Sequence, residues 1–240
     1  MFEQNNNYGY STATAAENEI SLQRYVAGVM RKVYGKMTMG LLLTAIVSLL
    51  VVTSETMLGL LFGSRLTIWL LMGAELALVI YLSARIDKLS TGTAALLFYA
   101  YSALNGLTLA PIFLVYTGTS IATTFIITAG TFGAMSIFGY VTKQDLSKFG
   151  SIMFMALIGL ILCVVVNMFL GNPMLDMIIS IAGVLIFVGL TAWDTQAIKR
   201  MCSVADETQK GKVATMGALT LYLDFINLFL YLLRLFGRNN

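Results

Sequence analysis

The sequence contains no histidine among its 240 residues. That removes His-dependent nucleophilic triads, most zinc sites and imidazole proton shuttles together. Charge is nearly as scarce, at 11% of the chain, where a soluble domain carries about a quarter. Cysteine occurs twice, as Cys163 in an apolar stretch and Cys202 in what reads as a loop. There is no CxxC pairing, so two unpaired small hydrophobic residues are expected rather than a disulfide framework. The first 22 residues lack the basic n-region, apolar core and cleavage site of a secretory signal. They are polar and short of large apolar side chains, which reads as a disordered tail on the cytoplasmic side. No Asn-x-Ser/Thr sequon occurs.

What the chain has in abundance is apolar residues, 58% of the total. They gather into seven segments, at 37–54, 66–86, 93–116, 121–141, 149–170, 175–198 and 215–236. Each falls in the length range of a membrane helix, about 20 residues for a hydrocarbon core of about 30 Å. An all-α integral membrane protein follows, with residues 23–240 forming one membrane domain. The tightest break is Tyr116-Thr117-Gly118-Thr119-Ser120, a turn of small residues. In the fourth segment, Ala129, Gly130, Gly133 and Ala134 have the small-xxx-small spacing that suits close helix packing.

The basic residues set an expected orientation. Twelve of the 15 Lys and Arg precede the first span or lie between spans two and three, four and five, or six and seven. Only Arg65, Arg234 and Arg238 fall on the other side. The positive-inside rule then puts the N-terminus in the cytoplasm and the C-terminus outside.

Within the spans, polar residues carry the functional information, because an ionisable group at membrane depth costs at least about 2.5–3.5 kcal/mol. Glu75, Asp194 and Asp224 are the carboxylates in this position. In the last span Thr220, Asp224, Asn227 and Tyr231 share one helical face. Asp194 and Asp224 sit on consecutive antiparallel helices, both in the half nearer the basic side. If they touch, both cannot comfortably be ionised, and they titrate as a coupled unit. Such a pair can serve as a proton-controlled switch or as a hard oxygen site of the kind calcium prefers. The competing readings are a surface ion pair of Asp194 with Lys199 or Arg200, and a buried packing role for Asp224. Arg85, ending the second span on the same side, is a candidate counter-ion for Asp194 or simply a topology anchor. Glu75 is equally a pathway residue or a packing acid. The third span presents Tyr101, Asn105 and Thr108 on one face, ahead of Pro111, which frees the Leu107 carbonyl and permits a kink.

Four stretches, YGKMTMGLLLTA, FYAYSALNGLTLAPIFLVYT, WDTQAIK and LTLYLDFINLFLYLLRLFG, closely resemble the Bax inhibitor (transmembrane Bax-inhibitor-motif) family, from about residue 30 to 237. The resemblance implies seven helices with the C-terminal one central, wrapped by two sets of three. It implies a pH-sensitive calcium leak channel in a bacterial inner membrane, with calcium and protons as its ions and no cofactor or enzyme activity. Asp194 and Asp224 match the paired-aspartate sensor, and Arg85 is the nearest match to an arginine that latches it. The connection from Met201 to Ala214 reads as longer than in compact bacterial relatives. Some relatives instead modulate a membrane protease or suppress cell death. This leaves open a second reading, an interaction protein with a membrane protein partner and a purely structural acid pair. A proton-driven transporter is a third, and nucleic-acid binding is not expected.

Overall fold

The computed structural model describes residues 6–206 and 208–239. Its helices are α1 (Asn6–Val52), α2 (Glu55–Phe62), α3 (Arg65–Arg85), α4 (Thr91–Leu109), α5 (Ile112–Val115), α6 (Gly118–Val141), α7 (Ser147–Leu170), α8 (Pro173–Val204) and α9 (Lys210–Phe236). Among the described residues no strand occurs, only an isolated bridge between Tyr116 and Asn239. Seven helices are long and apolar enough to cross a membrane: α1, α3, α4 with α5, α6, α7, α8 and α9. They coincide with the seven expected spans.

Side-chain oxygens set most of the boundaries. Ser54, Ser64, Ser90, Thr117 and Asn172 each accept a hydrogen bond from a backbone N–H in the following first turn. Those N–H groups have no partner within the helix. The α7–α8 corner needs only Leu170-Gly171-Asn172-Pro173. Gly171 takes φ 60°, a left-handed geometry that closes α7 without a Cβ penalty, and Pro173 opens α8 where no N–H is required. The third span breaks at Ala110-Pro111 before resuming as α5, as a proline within a helix dictates.

Three boundary expectations change. The polar tail expected over residues 1–22 is helical from Asn6, residues 1–5 lying outside the described residues. Between Tyr10 and Ala27 there is no Gly or Pro, while Ala, Glu, Gln and Leu favour helix. α8 runs on to Val204, so Cys202 lies in a helix and is fully buried. With α9 starting at Lys210, the connection expected over 201–214 shrinks to residues 205–209.

The C-terminal helix is central. α9 packs on α8, α1, α6 and α4 and buries fourteen of its 27 residues. Around it stand two sets of three. In one, α4 packs on both α1 and α3; in the other, α8 packs on both α6 and α7. The outer members face away: α3 buries only Leu82, and α7 only Gly150 and Leu160. Their exposed Trp69, Leu70, Ile158 and Phe169 face a solvent as apolar as they are, so cohesion between helices comes from close packing and polar contacts.

The close packing of α6 falls on a different face from the one its small-residue spacing indicated. Its buried residues are Thr124, Thr128, Phe132, Ser136 and Gly139, while Ala129, Gly130 and Ala134 are exposed and a Cβ on Gly130 or Gly133 would meet open space. Spacing alone does not say which side of a helix meets a neighbour. The glycine that permits contact is Gly139, where any Cβ would strike the backbone of Ala192 on α8.

The basic residues collect at one end of the bundle. There Tyr25 donates to the Ala205 carbonyl at 2.7 Å, Lys212 to the Asp87 carbonyl at 2.7 Å, and Arg200 pairs with Asp145. At the opposite end the residues after α9 are tied down. The Thr117 N–H donates to the Arg238 carbonyl at 3.0 Å, and the Arg238 N–H to Ser120 Oγ at 2.9 Å.

Candidate functional site

The site is built where α8 crosses α9. Because α8 runs ten residues past Asp194, about 15 Å of helix, this acid lies well inside the bundle rather than at its rim. Its carboxyl group comes within hydrogen-bonding reach of that of Asp224. Asp224 is buried, at 5% exposure, and its Oδ2 has no hydrogen-bond donor among the described residues. Asp194 is half-buried.

The competing partners of Asp194 are engaged elsewhere. Lys199 Nζ donates to the Tyr140 carbonyl at 2.7 Å and lies over the Tyr140 ring. Arg200 bonds Asp145 at 2.6 Å, Ser147 at 2.9 Å and also Gln196. The surface ion pair of Asp194 with either residue is therefore not formed. Arg85, exposed at the end of α3, makes no ion pair with Asp194 or Asp224. Among the described residues no third acidic, cysteine or histidine side chain joins the pair. Calcium prefers six to eight oxygens, so two carboxyls can pass or sense a cation but do not make a full cage.

The polar face of α9 divides. Thr220 and Asn227 satisfy themselves on their own helix, donating to the carbonyls of Met216 at 3.1 Å and Leu223 at 2.8 Å. Tyr231 stacks on Phe187 of α8. Among the described residues Asp224 is the one on that face whose polar atoms come within hydrogen-bonding reach of a side chain on another helix.

A second polar cluster lies on the other side of α9. Glu75 of α3 accepts from Thr108 Oγ1 at 2.6 Å and is also bonded by the Asn105 side chain. Asn105 Oδ1 accepts from Tyr222 Oη at 3.1 Å, and Tyr222 Oη lies 2.6 Å from Thr44 Oγ1 of α1. This chain crosses four helices, from α3 through α4 and α9 to α1. Glu75, Asn105 and Thr108 were visible as intramembrane polar residues, whereas Tyr222 and Thr44 were not singled out. The available signal was Tyr222 itself: a hydroxyl in the middle of an apolar run must find a partner when buried, and Tyr222 is fully buried.

The family model described as "Inhibitor of apoptosis-promoting Bax1" matches residues 26–240. The chain belongs to the Bax inhibitor-1 family. Among its curated relatives is the Inner membrane protein YbhL of Escherichia coli (strain K12), 54% identical over 219 residues, covering 90% of this chain and 92% of YbhL. An uncharacterized protein of Borreliella burgdorferi is 44% identical over 211 residues, covering 87% and 91%. Uncharacterized protein RP147 of Rickettsia prowazekii is 42% identical over 234 residues, covering 96% and 97%. The matched region of this Bax inhibitor-1 family member contains all seven candidate spans except the first seven residues of α1's span, which starts at Glu19. Both polar clusters lie inside it.

Proposed function

We propose that this protein is a pH-sensitive passive calcium pathway, gated by the Asp194/Asp224 pair, with no enzymatic role. The observation that carries the reading is the buried contact of two acids from consecutive helices, one with an oxygen that no donor satisfies. Two unit charges about 4 Å apart at an effective dielectric of about 20 interact by about 4 kcal/mol. Such a pair is relieved either by a shared proton or by a cation. Protons and calcium are then alternative occupants of one position, which couples the spacing of α8 and α9 to pH.

In this conformation Arg85 stands apart from the pair, so the coupling is assigned to α8 and α9 directly. The second helix set follows α9 through the Glu75–Asn105–Tyr222 chain. The positive-inside bias supports a cytoplasmic N-terminus and an outside C-terminus, with the basic end in the cytoplasm. The name of the Escherichia coli relative supports placement in a bacterial inner membrane.

The test is calcium flux into liposomes carrying the purified protein, measured from about pH 5 to about pH 8. Wild type is expected to conduct down the calcium gradient with a pH-dependent rate. Asp194→Asn and Asp224→Asn are each expected to abolish that dependence. Absence of flux, or a full pH response in both variants, would leave the acid pair a structural contact. Uphill flux driven by a proton gradient would identify a transporter instead.

A further inference from the structure

The basic end of the bundle holds a cavity of about 800 Å³ that the acid pair does not line. Three elements wall it: α1 near Leu22 and Val26, the last turns of α8 at Lys199 and Arg200, and the α6–α7 connection around Lys143 and Asp145. The 32 residues of α8 make about 48 Å of helix, against a hydrocarbon core of about 30 Å. The candidate span in α1 is 34 residues long, or about 51 Å. Both helices therefore project past the hydrocarbon, whereas α6 and α7, at 24 residues each, end near its boundary at about 36 Å. The cavity sits in that step, which these helix lengths put at the depth expected for lipid head groups.

Its charge is unbalanced. Lys143, Lys199 and Arg200 face it, with Asp145 as the one acid in its lining. Asp145 is committed to Arg200. The Ser147 backbone N–H, followed by the Arg200 guanidinium, holds the Asp145 carboxyl well below the usual carboxylate range, so this acid stays charged and paired. Two ammonium groups are left without a carboxylate. Lys199 is pinned at the wall by the Tyr140 carbonyl and ring, and exposed Lys143 has no acidic partner among the described residues. Leu22, Val26 and Val141 give the same cavity an apolar flank.

We propose that this cavity binds the head group of an anionic phospholipid, its phosphate between Lys143 and Lys199 and its glycerol and upper acyl chain along Leu22, Val26 and Val141. A basic pocket between helices at the membrane surface is the arrangement that recognises such head groups. A zwitterionic lipid brings its own cation beside the phosphate and adds no net negative charge, whereas an anionic head group offsets one of the two ammonium charges. The assignment stands independently of calcium conduction and of which side the basic end faces.

Native mass spectrometry of the full-length protein in detergent tests it, with phosphatidylglycerol, phosphatidylcholine and inorganic phosphate as separate probes. One phosphatidylglycerol is expected to bind about tenfold more tightly than phosphatidylcholine. Lys143→Gln and Lys199→Gln should each weaken it about fivefold, and the double variant about 25-fold. Lys88→Gln, which removes an exposed cation outside the cavity, should change nothing. Among the described residues exposed Lys143 makes no ion pair or side-chain hydrogen bond, so Lys143→Gln is expected to keep the fold even if Lys199→Gln lowers the melting temperature. Equal retention of the two lipids, or undiminished phosphatidylglycerol binding by Lys143→Gln, would overturn the proposal. So would displacement of the lipid by inorganic phosphate at equal concentration.

Discussion

Tyr222 and Asp224 stand two residues apart on the same helix, both buried, and they meet the two outer helix sets in opposite ways. Tyr222 closes a chain in which Glu75 Oε1 and Asn105 Oδ1 each accept from a neutral hydroxyl donor, and so joins α9 to α1, α3 and α4. Asp224 faces another acid and keeps an oxygen with no donor, and so joins α9 to α8. A satisfied buried network holds one geometry, because any rearrangement strands a polar group. A pair of like groups is held only by what sits between them. The fold thus pairs a side held by satisfied hydrogen bonds with a side that, under the proposed function, takes its spacing from protons or cations.

The sharpest way to break this contrast is to make the acid side resemble the hydroxyl side. Asp224→Asn supplies a donor to Asp194 and is expected to remove the pH dependence of calcium flux altogether. Its stability should stay within about 1 kcal/mol of wild type or rise, as one net hydrogen bond is gained. Next in size is Tyr222→Phe, which leaves Asn105 Oδ1 without its tyrosine donor. It should cost about 1–3 kcal/mol by thermal unfolding in detergent while the pH response of flux survives. Loss of that response in Tyr222→Phe would show the two sides to be one unit. Thr108→Val removes a single donor from Glu75 and should cost about 1 kcal/mol. Its clearer sign is faster amide hydrogen exchange in α3, whose one buried residue is Leu82.

The smallest effect is expected at Asp145, which is exposed and outside the spans. Its carboxyl is held below the usual range by the Ser147 N–H and Arg200. A depressed value means that its stabilisation is present above the ordinary carboxylate pKa, about 3.9, and fades as pH falls toward the folded-state value. Asp145→Asn should therefore lower the melting temperature slightly at neutral pH. The difference from wild type should close in strong acid. A difference that persists there would assign the effect to the Asp145 bond with Ser147 rather than to charge.

The spans were legible because a run of about 20 apolar residues has few other uses, and the acids stood out because their insertion is costly. That cost marks Asp224 as partnered but does not name the partner. Contact with Asp194 depended on α8 continuing past Lys199, and no proline or glycine in 193–204 ends it earlier. Arg85 shows the limit. Its place at the end of α3 follows from sequence, whereas its distance from the pair depends on α3 packing outside α4. The α6 glycines and Cys202 fail for a related reason: spacing identifies a face or a segment, and only the neighbours decide what meets it. Tyr222 was hidden by its own chemistry, an aromatic ring that blends into an apolar run until its hydroxyl is followed.

Seen from the ribosome, the chain has an unusual order. α9 holds most of the shared interior and is made after the six other spans. Six spans are in the bilayer before the helix they pack around exists, since chains mature from the N-terminus at about 5–20 residues per second. Through that interval Asp194 has no Asp224, Asn105 has no Tyr222, and the α5–α6 turn has no Arg238 to hold. A chain cut anywhere before Leu219 loses the acid pair and the hydroxyl chain in one stroke. For this molecule, reaching α9 is the step that turns a set of inserted spans into a protein.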